Sequence, residues 1–175
     1  KKDVSELIDL AKRIVKFDME HNAEAEAVDL LMEVQHLPLL LPLEFDERNT
    51  ERVCAYLLRS ALYEVDPEEK ASVFNVTFDL YSKQGRLCDA LRVAIRMKDA
   101  SKIEGLFEKT QDDLATRTQL AYILGANRSF GFQLDEDDVE DASDINAIIG
   151  NYSVCFRARS ARVLSCYSLK HITHS

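Results

Sequence analysis

Apolar residues recur at three- and four-residue spacing through most of this chain, the period of helices with one buried face. The pattern is clearest over Asn22-Ala-Glu-Ala-Glu-Ala-Val-Asp-Leu-Leu-Met-Glu33. Asn22 reads as an N-cap there, because its side-chain oxygen can accept a backbone N–H of the first turn. Glu24 and Glu26 suit the positive end of the helix dipole. Ala27, Val28, Leu31 and Met32 form one stripe, with Glu26, Asp29 and Glu33 turned away. Before it, residues 3–20 place Val4, Leu7, Ile8, Ala11, Ile14 and Val15 on one face, behind the capping-box wording Asp3-Val-Ser-Glu6. The two predict an antiparallel hairpin.

Residues 36–48 break the period. Leu37, Leu39, Leu40, Leu41 and Leu43 surround Pro38 and Pro42, and proline is excluded from a regular helix interior. A helical turn followed by a buried connector is expected. The next helix starts at Asn49 or Thr50 and turns Val53, Cys54, Leu57, Leu58 and Ala61 inward. Asp66-Pro67-Glu68-Glu69 combines an N-cap, a proline at the first helical position and acids in the first turn. It opens a helix to about Gln84 whose Val73, Phe74, Val76, Phe78, Leu80 and Tyr81 cover most of the circumference, as for a rod enclosed on several sides. Gly85 suits the left-handed residue after it.

Residues 87–97 then place Leu87, Ala90, Leu91, Ala94 and Ile95 on one face. Asp99 caps a helix through Glu108 with Ile103, Leu106 and Phe107 inward. Thr110 or Asp112 starts another, which reaches Leu124 and stops near Gly125. A short helix runs from Ser143 or Asp144 through Ile149. The expectation is an all-α fold of about eight helices, packed as successive antiparallel hairpins in a repeat-like array of the tetratricopeptide or HEAT kind. No fixed 34-residue period holds. The helical scaffold domain covers residues 1–150, and residues 151–175 form a basic tail.

Composition fits that outline and adds a charge asymmetry. Among 175 residues there are only five glycines, three prolines and no tryptophan, few breakers for a strand-and-turn fold. Residues 1–150 carry all 31 acids against 18 of the 22 basic residues, a net charge of −13. Residues 151–175 hold Arg157, Arg159, Arg162 and Lys170 with no acid. An acidic body argues against a nucleic-acid surface and for solubility, or for a basic partner. No apolar run approaches the ~20 residues that span a bilayer. Lys1 in place of methionine reads as a piece of a longer chain.

Catalytic and metal-binding motifs do not emerge from the spacing. Cys54, Cys88, Cys155 and Cys166 form no CxxC pair and read as reduced thiols. Cys54 lies on an apolar helical stripe and reads as packed rather than nucleophilic. The acidic run Asp135–Asp141 fails as a calcium loop, because Glu140 and Asn146 stand where glycine and glutamate are required. His171 and His174 lack a third ligand nearby. His21 reads as exposed, and His36 suits a helix end. Asn75, Asn127 and Asn151 match the glycan acceptor pattern by chance. No catalytic residue, cofactor site or metal site is assigned, and no partner-binding residue can be named.

The wording of four stretches carries more than their periodicity. His21-Asn-Ala-Glu-Ala-Glu-Ala-Val-Asp-Leu-Leu-Met-Glu-Val34 resembles the N-terminal part of the large non-ATPase scaffold family of the proteasome regulatory particle base, which carries proteasome/cyclosome repeats. Arg52-Val-Cys-Ala-Tyr-Leu57, Asp89-Ala-Leu-Arg-Val-Ala94 with Lys98-Asp99, and Thr118-Gln-Leu-Ala-Tyr-Ile-Leu-Gly125 are similar to later segments in the same order. The resemblance covers roughly residues 15 to 150; residues 151–175 do not match it. It implies a non-catalytic scaffold without cofactor, in the cytoplasm and nucleus. The implied partners are other regulatory-particle subunits, including the ATPase ring. Ubiquitin and ubiquitin-like shuttle proteins would bind a repeat region beyond residue 175. Two other readings stand beside it. One is a stand-alone helical-repeat adaptor gripping a peptide or partner helix. The other is a small all-α enzyme, for which no spacing speaks.

Overall fold

A computed structural model describes residues 5–44, 46–127 and 143–151. Among them every regular element is helical: α1 (Ser5–Glu20), α2 (Glu24–Glu33), a 3-10 turn (Leu37–Leu40), α3 (Glu47–Ser60), α4 (Pro67–Lys83), α5 (Leu87–Met97), α6 (Ala100–Glu108) and α7 (Leu114–Ala126). A further helical run covers residues 143–151. The all-α expectation holds. The chain forms two compact units, Lys1–Val93 and Ala94–Ser175.

In the first unit each helix packs on its successor: α1 on α2, α2 on α3, and α3 on α4, while the 3-10 turn sits against both α2 and α4. Short connectors make the neighbours antiparallel. The core is the stripe set read from periodicity. Ala27, Val28 and Leu31 of α2 are sealed, as are Val53, Cys54, Leu57 and Ala61 on α3 and its end. In α4, Val73, Val76, Thr77, Phe78, Leu80 and Tyr81 are all buried, so this rod is enclosed on several sides. The buried Thr77 hydroxyl donates to the Val73 carbonyl one turn back, at 2.7 Å. Leu37 and Leu40 plug the core from the 3-10 turn. The Lys83 ammonium holds the following connector by donating to the carbonyls of Leu41 and Leu43, at 2.9 and 3.1 Å.

The second unit follows the same logic. Ile103, Leu106 and Phe107 of α6 are buried, with Leu120, Ala121 and Leu124 of α7 and with Ile145 and Ile149. Of α5, Ala90, Leu91 and Val93 belong to the first unit and Ala94 to the second; all four are sealed, while Leu87 and Ile95 are only half-buried.

Helix starts are set by aspartates. Asp46, Asp66, Asp99 and Asp113 cap α3, α4, α6 and α7, each accepting a backbone N–H of the first turn. Asp66 and Asp99 were expected. Asp46 displaces Asn49 and Thr50, and Asp113 displaces Thr110 and Asp112, because in each case the carboxylate reaches an orphan amide two or three residues on. Asp113 also takes the Thr116 hydroxyl at 2.6 Å.

Helix stops share one device. α1, α2, α4 and α5 are followed by a left-handed residue: Asn22 (φ 58°), Gln35 (φ 57°), Gly85 (φ 71°) and Lys98 (φ 58°). After each, the next amide donates five residues back: Ala23 to Asp18, His36 to Leu31, Arg86 to Tyr81 and Asp99 to Ala94. This is the Schellman closure. It corrects the expectation for Asn22, which ends α1 instead of capping α2; the N-cap position belongs to Ala23, which makes no side-chain cap bond. Asparagine tolerates the left-handed region because its short polar side chain can hydrogen-bond locally. α7 ends at Ala126, near Gly125 as expected, and Gly125 is its buried penultimate residue.

Among the described residues only Gly85 fills a left-handed position with glycine. Nothing lies within 4 Å of where its Cβ would stand, so Gly85→Ala should cost about 1 kcal/mol through the backbone alone. The reverse change at the exposed Lys98, Lys98→Gly, should stabilise by roughly 0.5–1 kcal/mol. Chemical denaturation of both variants checks the opposite signs.

The stripe of α1 departs from its expectation. Ala11 and Val15 are buried, but Leu7 and Ile14 face water with Leu10 and Phe17. The α2 hairpin covers one edge of the helix and leaves the other open. Asp3 and Val4 of the capping-box wording lie outside the described residues, as do Asp135–Asp141, Cys155, Cys166, His171, His174 and the basic residues of the tail.

Candidate functional site

Polar contacts in the first unit concentrate at two places. The first joins α3 to the α1–α2 connection. Arg52, one turn into α3, donates to the Asn22 side-chain oxygen at 3.0 Å and to Asn49 at 2.7 Å. It also approaches the Glu24 carboxylate to 2.6 Å. This last contact is an ion pair off hydrogen-bond alignment, since Glu24 Oε1 has no aligned donor. Glu24 is buried, while the Arg52 side chain is half exposed. One turn further along, the Tyr56 hydroxyl donates to Asp29 at 2.7 Å. That bond to a carboxylate, followed by burial, raises the Tyr56 pKa. The left-handed Asn22 therefore turns the chain and aims its side chain at Arg52.

The second cluster surrounds Cys54. The Arg86 guanidinium lies 5.4 Å from the centre of the Tyr81 ring, a cation–π distance. It grips Asp89 through Nε and Nη2, at 2.9 and 2.8 Å, and approaches Glu51 to 3.9 Å. Arg92 takes the other Asp89 oxygen at 2.7 Å. Burial pulls the Arg86 pKa down, but the hydrogen bonds and charge of Asp89 outweigh it and the net shift is upward. Burial pushes the Cys54 thiol up to about 12 against the pull of nearby Arg86, and burial likewise pushes the Tyr81 hydroxyl up to about 12. This arrangement keeps a thiol protonated and cannot supply a thiolate nucleophile at neutral pH.

Two results follow. In the native protein Cys54 should resist maleimide at pH 8 while the half-buried Cys88 reacts, as peptide mass mapping would show. Raised folded-state pKa values also fix the pH dependence. Their stabilisation is complete below the unfolded values near 9 for Cys54 and 10 for Tyr81. It is lost as pH climbs towards 12. The midpoint of denaturation should fall from about pH 9 upward, and less steeply in Cys54→Ala.

A concave surface opens between the ends of three helices of the same unit, with a volume of about 690 Å³. α2 and the residues after it supply Asp29, Met32, Glu33, Gln35 and Leu37; the end of α3 supplies Ser60 and Glu64; the start of α4 supplies Asp66, Glu68, Glu69, Ser72 and Val73. Six of these are carboxylates and none is a base. Gln35, set by its left-handed backbone, donates across the groove to Glu69 at 2.6 Å. No group of three or more potential ligands among the described residues converges to hold a metal ion.

Two of the histidines and two of the cysteines singled out in the sequence fall among the described residues. His21 is exposed and stacks on Phe17 with ring centres 4.0 Å apart; its Nδ1–H donates to the Phe17 carbonyl. His36, half-buried at the end of α2, donates to the Val34 carbonyl. Cys54 is sealed in the core and Cys88 is half-buried. Neither the groove nor the Arg52 contacts emerged from the sequence, because both join residues about 30 apart along the chain. The only early signal was acids crowding the end of α2 and the start of α4.

Comparison with known proteins gives consistent matches. The sequence profile described as the RPN1 N-terminal domain matches residues 1–158. The chain is 34% identical over 145 residues to 26S proteasome non-ATPase regulatory subunit 2 homolog A of Arabidopsis thaliana, covering 83% of this chain and 16% of that protein. It is 33% identical over 138 residues to 26S proteasome non-ATPase regulatory subunit 2 of Dictyostelium discoideum, covering 79% and 15%. It is 36% identical over 127 residues to 26S proteasome regulatory subunit RPN1 of Candida glabrata, covering 73% and 12%. The chain thus spans less than a fifth of the length of these relatives.

Proposed function

Because the chain belongs to the RPN1 N-terminal domain family, we propose that it is a non-catalytic scaffold segment of the proteasome regulatory particle. In this reading it supports assembly of the base and, through it, ubiquitin-dependent protein degradation. The observation that carries the reading is the match across residues 1–158. The structure supports it in a particular way. Two stretches that resemble the family in wording, His21–Val34 and Arg52–Leu57, are held together by Arg52 bonding Asn22 and pairing with Glu24. The resemblance therefore falls on residues that fix the angle between neighbouring helices, as a scaffold requires.

The partners proposed are other regulatory-particle subunits, including the ATPase ring. Contacts with ubiquitin or ubiquitin-like shuttle proteins are assigned to a repeat region outside this chain. The segment is read as working without a cofactor, in the cytoplasm and nucleus. Affinity purification of the tagged protein carrying this chain tests the reading. Regulatory-particle subunits should co-purify stoichiometrically, and their absence would overturn the assignment.

A further inference from the structure

We propose that the groove between the ends of α2 and α3 and the start of α4 is a docking site for a lysine- or arginine-bearing peptide segment of another protein, seated by an apolar side chain. The inference goes beyond the scaffold reading and does not depend on it. Three observations carry it. First, the six carboxylates of the groove face one open space of about 690 Å³, with no lysine, arginine or histidine lining it. Among the described residues none of the six pairs with a base within 4 Å. Like charges lining one groove repel, and the repulsion is relieved when a cation enters.

Second, the floor is not polar throughout. The half-buried Met32 contributes to it, over the buried Leu37 and Val73, and a methionine side chain adapts to varied apolar partners. Third, the α3–α4 link exposes a cluster of large apolar side chains beside the groove: Leu62, Tyr63 and Val65 are 69%, 84% and 92% exposed. They are interleaved in sequence with the lining residues Glu64 and Asp66. A surface with apolar residues and acids that lack a basic partner side by side matches a segment with the complementary alternation.

The composition of the groove also selects against other occupants. Small-molecule pockets are lined mainly by apolar and aromatic groups, whereas half of the residues lining this one are aspartate or glutamate. Nucleic acid is repelled by the same charge. The carboxylates do not converge on a metal-binding point.

The probe is a short fluorescein-labelled peptide of lysines interrupted by two leucines, titrated with the whole chain at low salt and followed by anisotropy. Saturable binding that weakens with added salt is expected. The triple variant Glu33→Lys, Glu64→Lys, Glu68→Lys should lose about tenfold or more in affinity. The equally charged variant Glu104→Lys, Glu108→Lys, Asp112→Lys, on exposed positions elsewhere, should change it by about twofold or less. Tyr63→Ser with Val65→Ser should weaken the lysine–leucine peptide but not an all-lysine one. If the lysine changes lower the helical circular dichroism, glutamines at Glu33, Glu64 and Glu68 give the same readout with less perturbation. Absence of saturable binding, or equal losses in the two charge-reversed variants, overturns the proposal.

Discussion

Leu31→Ala should destabilise the first unit by about 2–5 kcal/mol, the range for emptying a sealed leucine site. Leu31 is fully buried on α2, and α2 packs against α1, α3 and the 3-10 turn together. A void at this position faces several elements, each anchored elsewhere, so the surroundings have little freedom to close around it. Domains of this size are stable by about 5–15 kcal/mol in total, so the loss would be a large share. Leu7→Ala on α1 is the natural comparison, since the same side chain is removed from a position 65% exposed. It should change stability by no more than about 0.5 kcal/mol. Urea denaturation of the two variants decides the matter. Equal effects would mean that α2 is not at the centre of this core.

Arg52→Ala should cost about 2 kcal/mol, more than truncation of a half-exposed arginine ordinarily does. The added cost comes from what is left behind. Glu24 would keep its buried carboxylate with its cation gone, and Asn22 would lose the donor that fixes its side chain. Breaking one side of a pair with a buried member is costly because the remaining charge stays desolvated. Glu24→Gln should therefore recover part of the loss in the Arg52→Ala background while being mildly destabilising alone. A double-mutant cycle by chemical denaturation measures that coupling. Independent, additive losses would show that the pair does not connect α3 to the α1–α2 turn.

The helices were legible because their stripes repeat without interruption and breakers are few. Asp66-Pro67 announced a boundary through two mutually reinforcing signals, and α4 follows it to within a residue. Other boundaries moved where several polar residues compete for the cap. At Asp46 and Asp113 the winner is the side chain that reaches an unpaired amide, which is a matter of geometry and not of residue type. Asn22 shows the limit most clearly. Asparagine is equally at home capping a helix start and taking the left-handed turn after a helix end. The turn was chosen by the six-residue closure from Ala23 to Asp18 and by Arg52 thirty residues downstream. Gln35 and Lys98 were invisible for a related reason, since neither residue type favours that conformation. The groove was hidden because its acids come from three helix ends that meet only after folding.

The uneven burial of α1 has a consequence for how the first unit breathes. Only Ala11 and Val15 of its described residues are sealed, both small, whereas α4 is gripped around most of its girth. Amides of α1 should therefore exchange with solvent deuterium through a low-energy detachment of that one helix, well before the α3–α4 pair lets go.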